Sequence, residues 1–247
     1  MNKINDYLDN ITNILGKIKE TQTEAIEKAA RMMFDSFQKG GSIFAFGASH
    51  AGIIAEELFC RAGGLIVVNP IFNPTLMLST RPFTITSAME RLEGFGNVIL
   101  DGSAVKKGDV LIIHSVSGRN GVAIDMAMQA REMGVGVIVI TNLDYSTKLT
   151  SRHSSGTMLY ELGDIVIDNC GTYGDASIAI GEGGKTIAGP TSTVSGATIA
   201  NMMVVGFAEL CDENGIDPPV FVSANADLDK TEEKKLIIKY MDRVHYL

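Results

Sequence analysis

The sequence predicts an α/β fold in which a parallel sheet is covered by helices on both faces. The first observation is a set of short, continuous apolar runs, and the second is that most of these runs are followed by a polar or glycine-containing turn and a helical pattern. The runs span residues 42–46, 65–68, 110–113, 135–140 and 165–167. Strands that are apolar on both sides are typical of parallel sheets buried between helices. The third observation is composition, because 45% hydrophobic and 20% charged residues among 247 exclude disorder.

The chain begins with a predicted helical arm. Apolar residues recur at helical spacing between Ile4 and Ile18, and a second amphipathic helix ends at Gly40-Gly41, a usual C-terminal signal. We therefore interpret residues 1–40 as an arm that packs on a main domain of residues 41–215. Residues 216–247 form a tail whose charged amphipathic pattern predicts a helix over 232–246.

The remaining elements follow the apolar runs. Residues 118–133 predict a crossover helix, and a shorter helix is predicted from about 87 to 94. The glycine-rich stretch 171–190 holds two short alternating runs, which is consistent with either a hairpin or an active-site loop. A long apolar helix is predicted over about 192–210.

Charge and cysteine usage limit the function. The net charge of −8 argues against nucleic acid and anionic membranes as partners. Three widely spaced cysteines form neither a disulfide framework nor a metal motif, and the N-terminus has no signal-peptide core, so we expect a cytoplasmic protein. No apolar run approaches the ~20 residues of a membrane span. We expect no metal and no cofactor.

A phosphate-binding loop is predicted after the first strand. Gly47 and Ser49 lie between that strand and the next helix, where glycine lets the backbone approach an anion and the helix start offers free N–H groups. The loop lacks the second glycine of a dinucleotide fingerprint, and the second strand ends at Asn69 rather than at an acidic residue. A nucleotide-dependent dehydrogenase is therefore the least favoured function.

Two further helix starts are rich in hydroxyl groups. Ser115, Ser117, Gly118 and Asn120 lead into the crossover helix, and Ser192 and Thr193 open the long apolar helix. Each cluster has a plain alternative, since serine, threonine and asparagine are also the preferred N-cap residues. Three such starts in one chain favour an anion site.

Two long stretches resemble the sugar isomerase (SIS) domain family. FDSFQKGGSIFAFGASHAGIIAEELFCRAGG is similar to the start of phosphoheptose isomerases, and HSVSGRNGVAIDMAMQAREMGVGVIVITN is similar to the second SIS motif. The resemblance covers roughly residues 30–210. It implies a three-layer αβα sandwich with a five-stranded, flavodoxin-like parallel sheet and a bound phosphosugar. It also implies that Ser115 and Ser117 contact the phosphate and that sites are completed across subunits of a homodimer or larger oligomer.

Two shorter segments resemble the N-acetylmuramic acid 6-phosphate etherase branch of that family. One is AMERLE at residues 88–93, and the other is the Gly-Pro, Ser-Gly-Ala-Thr and Asn-Met pattern over 189–202. The overall pattern is most similar to small proteins with a single SIS domain.

Glu57 is the first candidate for a general base. His50, Glu57 and Arg61 fall on one helical stripe flanked by apolar residues, where partial desolvation would raise a carboxylate pKa. The alternative is a Glu57–Arg61 ion pair at a subunit interface. By resemblance, Glu57 matches the catalytic glutamate of phosphoheptose isomerases. Ile53 stands where those enzymes carry a histidine, and residues 192–210 contain none, so their metal site and acid/base pair are missing.

Glu90 is the second candidate carboxylate, with a solvated helix face as its alternative. His50 completes the set of catalytic candidates. The sequence thus predicts a protein that binds a phosphorylated sugar and isomerises it as phosphoheptose isomerases do. A lyase of the etherase type and a non-catalytic sugar-phosphate-binding module are the alternatives.

Overall fold

The computed structural model describes residues 3–223, 225, 229 and 231–246. Five strands form the main sheet, two more form a hairpin, and helices occupy most of the rest. The strands are β1 Ile43–Gly47, β2 Val68–Pro70, β3 Val110–His114, β4 Gly136–Thr141, β5 Ile165–Asp168, β6 Ala176–Ile180 and β7 Thr186–Pro190. The helices are α1 Lys3–Thr21, α2 Thr23–Gln38, α3 Ile53–Leu58, α4 Thr84–Met89, α5 Phe95–Asp101, α6 Gly121–Met133, α7 Leu143–Ser146, α8 Ser192–Glu213 and α9 Thr231–Lys239.

The main sheet has the strand order β2-β1-β3-β4-β5, and every pair in it is parallel. This is the flavodoxin-like order that the family resemblance implies. The chain therefore confirms the predicted α/β fold with five parallel strands.

Side chains alternate between two cores along each strand. On β1, Ile43 and Ala45 pack with α1, α2, α3 and α8 on one face of the sheet. Phe44 and Phe46 pack with α5 and α6 on the other face. Because both faces are covered, consecutive positions in β1, β3 and β4 are apolar up to the strand ends, which is why the sequence shows continuous runs rather than alternation.

The N-terminal helices and α8 form one layer. Phe207 of α8 meets Phe34 and Phe37 of α2 edge to face, with ring centroids 6.1 and 5.3 Å apart. By length and composition α8 could cross a membrane. Here it is a core helix, with Ile199, Met203 and Phe207 fully buried.

Three predicted elements differ from the observed ones. The second strand begins at Val68 rather than at residue 65, because Leu65 pairs antiparallel with Val220 of the C-terminal segment. The helix predicted at 87–94 is α4, which ends at Met89, and the unpredicted α5 follows Gly94, whose φ of 81° interrupts the helical path. The terminal helix is shorter than 232–246, since α9 ends at residue 239.

The glycine-rich stretch resolves into an antiparallel hairpin of β6 and β7. Its register pairs Ala176 with Pro190, and the Tyr7 hydroxyl of α1 donates a hydrogen bond to the Pro190 carbonyl at 2.8 Å. The hairpin therefore connects the main sheet to the start of α8.

Candidate functional site

The carboxyl ends of β1 and β3 lie side by side. Gly47, the last residue of β1, is in register with His114, the last residue of β3. In the observed strand order, β1 and β3 flank the point where the chain direction along the sheet reverses, which is where parallel sheets bind ligands. The two predicted phosphate loops therefore meet at one edge of the sheet.

The first loop turns too tightly for a side chain at residue 47. A Cβ on Gly47 would lie 2.4 Å from the Ala51 carbonyl oxygen, so the position requires glycine. Ser49 opens a short 3-10 turn with a φ of 54°, an uncommon conformation for a residue with a side chain. Its Oγ lies 3.5 Å from Oε2 of Glu90. His50 is exposed in the same turn.

The second loop leads from β3 into α6. Ser115 and Ser117 are half-buried, and neither hydroxyl is hydrogen-bonded to any residue the structure describes. Gly118 has a φ of 58° and packs against Thr141 and Leu159. Asn120 holds the N-cap position but makes no capping bond. This loop therefore offers hydroxyl groups that the protein itself leaves free.

Asn120 instead contacts a residue from a distant loop. Its Oδ1 accepts a hydrogen bond from the Arg152 guanidinium at 3.0 Å, and the Arg152 amide donates to the Arg119 carbonyl at 2.9 Å. Residues 119–120 are thus joined to the segment that follows α7.

Glu90 follows α4 in the chain and lies beside the start of α6 in the structure. Its carbonyl accepts a hydrogen bond from the Val122 amide at 3.2 Å, which fixes the Glu90 backbone beside the second loop. Burial raises the pKa of the Glu90 carboxyl, while Arg91, the Ser49 hydroxyl and Arg152 act in the opposite direction. A carboxylate with a raised pKa in a polar cleft has the property that a general base needs.

Arg91 and Arg152 act on this carboxylate and Arg119 acts on Arg152, and we call these three residues the arginine cluster. Partial burial and the positive charges of Arg119 and Arg91 lower the pKa of the Arg152 guanidinium, while Glu90 raises it. The Nε of Arg119 is buried without a hydrogen-bond partner among the described residues. Guanidinium groups in this arrangement can bind a phosphate.

The sequence did not identify the arginine cluster. Arg91 and Arg119 adjoin predicted site residues, so their positive charge beside a phosphate loop was a usable signal. Arg152 lies beyond β4 and α7, and only the tertiary structure brings it to Asn120.

Glu57 contacts a different group of residues. It forms an ion pair with Arg61 and accepts a hydrogen bond from Asn201 of α8 at 2.8 Å. Glu57 thus lies on α3 and contacts α8, and its partners Arg61 and Asn201 are not among the residues around Glu90. The ion pair matches the alternative interpretation of this residue, and its role as a base stays a prediction.

The start of α8 already holds an anionic side chain. The Asp175 carboxylate accepts hydrogen bonds from the Ser192 amide at 2.7 Å, the Ser192 hydroxyl at 3.0 Å and the Thr191 amide at 3.0 Å. Thr193 is half-buried one residue further on. Phosphate binding by Ser192 and Thr193 stays a prediction, and in this conformation Ser192 is satisfied within the chain.

His114, at the end of β3 where the second loop begins, contacts the first loop. It is 2% exposed, and its Nδ1 lies 3.0 Å from the Ala51 carbonyl oxygen of the first loop. Burial is the main cause that lowers the pKa of His114, which favours the neutral ring. Within the described part of the chain, no group of three or more His, Cys, Asp or Glu residues could hold a metal ion.

Known proteins show what this chain is similar to. The family model described as the SIS domain matches residues 6–142. A UPF0309 protein of Oceanobacillus iheyensis is 49% identical over 247 residues, and one of Shouchella clausii is 45% identical, each match covering 100% of both chains.

Two solved structures share the fold. A phosphoheptose isomerase from Francisella tularensis superposes with a TM-score of 0.54 at 18% identity, covering 84% of this chain and 97% of that one. A phosphoheptose isomerase from Neisseria gonorrhoeae gives 0.52 at 17% identity, covering 85% and 97%. The chain belongs to the SIS domain family and, within it, to the UPF0309 proteins.

Proposed function

We propose that this protein binds a phosphorylated sugar at the carboxyl ends of β1 and β3 and isomerises it by proton transfer. The observation that carries the proposal is the position of Glu90, a half-buried carboxylate with a raised pKa beside a loop of free hydroxyl groups and the arginine cluster. Membership of the SIS family and likeness in fold to two phosphoheptose isomerases support it.

The phosphate is held at the start of α6 in this proposal. Ser115, Ser117 and Asn120 lie at a helix N-terminus, which favours negative charge. The arginine cluster and Glu90 together carry an excess of two positive charges, three minus one. A phosphate monoester carries about −1.5 to −2 at neutral pH, so its charge matches this excess.

Glu90 then serves as the general base. It takes the proton from the carbon next to the sugar carbonyl, which leaves an enediolate, and returns it to the former carbonyl carbon while a hydroxyl proton moves to the other oxygen. The adjacent guanidinium groups stabilise the negative charge that develops on those oxygens. A general base of this kind contributes roughly 10²–10⁴-fold in rate.

A lyase is the second candidate, and one observation favours it. The carboxylate beside the phosphate loop is Glu90, which lies in the 88–93 segment that resembles the etherases, rather than Glu57. Elimination begins with the same proton removal, but it expels an ether oxygen from the neighbouring carbon, and this oxygen needs an acid. Analysis of the product by NMR separates the two reactions.

Solvent exchange tests the proposal without knowledge of the product. Hexose, heptose and amino-sugar phosphates are first screened by thermal shift, since ligand at 100 times Kd stabilises a protein by about 2.7 kcal/mol. Deuterium incorporation into a bound sugar phosphate is then followed by NMR for the wild type, Glu90→Gln and Glu57→Gln. We expect Glu90→Gln to slow exchange by roughly 10²–10⁴-fold while binding persists, and Glu57→Gln to retain it.

Other results would change the assignment. Exchange that survives Glu90→Gln but not Glu57→Gln would make Glu57 the base. A tightly bound sugar phosphate that shows neither exchange nor product would point to a binding module without catalysis.

We also propose a homodimer or larger homo-oligomer in the cytoplasm, with no nucleic acid or membrane partner. Ile4, Leu8 and Val205 are 68%, 63% and 66% exposed on α1 and α8. An apolar cleft of about 700 Å³ lies along the junction of α2 and α8, and Asn201, the partner of Glu57, lines it. A second copy seated here would cover these side chains. A monomer mass by light scattering at micromolar concentration would refute this assembly.

A further inference from the structure

Two segments outside the sheet deliver charged groups to the proposed site. Residues 90–96 carry Glu90 and Arg91, and residues 151–157 carry Arg152. The first segment spans the end of α4 and the start of α5, and the second lies in the turn region after α7. One backbone hydrogen bond holds each segment beside the phosphate loop, from Val122 to Glu90 and from Arg152 to Arg119, and side-chain contacts add to them.

Asp125 supplies the first set of these contacts. It lies one turn into α6 and is 4% exposed. Its Oδ2 accepts hydrogen bonds from the Gly94 amide at 2.7 Å and the Gly96 amide at 3.2 Å. Gly96 sits so close to α6 that a Cβ would lie 2.6 Å from Cβ of Asp125. The segment 90–96 is thus fixed to α6 by one buried carboxylate.

The other oxygen of Asp125 reaches the second segment. Its Oδ1 lies 3.0 Å from Nε2 of His153, whose side chain is 11% exposed. The Ser155 amide donates to Nδ1 of His153 at 3.1 Å, so Nδ1 is an acceptor. In the neutral ring the proton is therefore on Nε2, which donates to Asp125.

A second carboxylate joins the two segments directly. Glu93 accepts hydrogen bonds from the Ser154 amide at 2.8 Å and the Ser154 hydroxyl at 2.6 Å. Its Oε2 lies 3.9 Å from Nε2 of His153. The segments are thus tied to each other at their surface and to α6 in the interior.

We propose that Asp125 is the positioning residue of the site, acting with His153 to set Glu90 and Arg152 relative to the phosphate loop of α6. The roles of Glu90 and Arg152 rest on the proposed function, whereas the coupling of the two segments does not. One carboxylate receives three donors from two segments, so a neutral amide in its place leaves buried donors without acceptors. Neither Asp125 nor His153 touches the reacting atoms in this proposal.

Hydrogen exchange on the ligand-free protein tests the coupling. In Asp125→Asn we expect the Gly94 and Gly96 amides and the amides of 151–157 to exchange about tenfold faster or more, together, while those of the sheet keep their wild-type rates. Glu132→Gln is the matched control, because Glu132 is an exposed carboxylate on the same helix that no described residue bonds to. Faster amide exchange in only one of the two segments, or in neither, would overturn the proposal.

A pair of His153 variants tests the positioning. Glutamine can place an N–H donor near the position of Nε2, and alanine cannot. Binding of inorganic phosphate, followed by ³¹P NMR, should weaken about tenfold or more in His153→Ala and recover in His153→Gln. A merely structural loss would leave phosphate affinity unchanged in the folded variant, and wild-type affinity in His153→Ala would overturn the positioning role.

The two experiments separate this proposal from the proposed function. If the wild type binds no phosphate, the proposed function fails at this site, while hydrogen exchange still decides whether Asp125 couples the segments. If Asp125→Asn does not fold, exchange in His153→Ala and His153→Gln gives the same decision for the segment 151–157.

Discussion

The starts of α6 and α8 are alike in sequence and different in structure. Both starts carry hydroxyl side chains: Ser115 and Ser117 lie in the loop between β3 and α6, and Thr191 and Ser192 follow β7 directly at the start of α8. At α8, the Asp175 carboxylate accepts hydrogen bonds from Thr191 and Ser192. At α6, the Asn120 side chain makes no capping bond.

The side-chain charges around the two helix starts also differ. The N-terminus of a helix favours an anion, and at α8 the chain supplies one as Asp175. At α6 the chain supplies guanidinium groups instead, with Arg152 bonded to Asn120. The start of α8 is thus occupied by a carboxylate of the chain itself, whereas the start of α6 is the one at which we propose a bound phosphate.

The largest expected effect compares one serine from each helix start. Ser117→Ala should weaken the binding of a sugar phosphate by roughly 1.5–3 kcal/mol, because a hydrogen bond to a charged phosphate is lost. Ser192→Ala should leave the affinity within about twofold, since its hydroxyl already bonds to Asp175. Both affinities are measured by ³¹P NMR titration.

The same titration can contradict the difference we expect between the two helix starts. Equal losses in the two variants would mean that Asp175 moves aside and that both helix starts bind the ligand, as the hydroxyl pattern alone predicts.

For the free energy of unfolding, we expect the larger effect at the start of α8 and the smaller one at the start of α6. Asp175→Ala removes the acceptor at the start of α8 and should cost about 1–2 kcal/mol in the free energy of unfolding, as for the loss of an N-cap. Asn120→Ala removes no capping bond and only the exposed hydrogen bond from Arg152, so it should cost less than about 1 kcal/mol. Urea denaturation of both variants measures this, and an Asn120→Ala cost as large as that of Asp175→Ala would contradict it.

The smallest effect is a pH dependence of stability that comes from Glu90, beside the start of α6. Burial raises the pKa of Glu90 in the folded protein, so its neutral form is favoured by folding. That stabilisation is present below the ordinary glutamate pKa and is lost as the pH rises through the raised value. We expect Glu90→Gln to gain stability relative to the wild type as the pH rises from the ordinary glutamate pKa through the raised one.

Urea melts across this pH range give the comparison, with Glu132→Gln as the control. A difference between Glu90→Gln and the wild type that stays constant with pH would show that the Glu90 pKa is not raised.

Local signals predicted the phosphate loops, because glycine, serine and a following helix are adjacent along the chain. Gly47, Ser49, Ser115 and Ser117 were all predicted this way, and their contact with a phosphate stays a prediction. Helical periodicity described the surroundings of Glu57 less well. It placed His50, Glu57 and Arg61 on one stripe, but α3 spans only Ile53–Leu58, so His50 and Arg61 lie outside the helix.

The sequence by itself determined the fold, since apolar runs of strand length separated by helices permit few arrangements other than a covered parallel sheet. It also predicted three loops as anion sites. Only the tertiary structure decided which loop is left free. Asp175 reaches Ser192 and Arg152 reaches Asn120 across many intervening residues, and sequence spacing carries no information on contacts that folding alone creates.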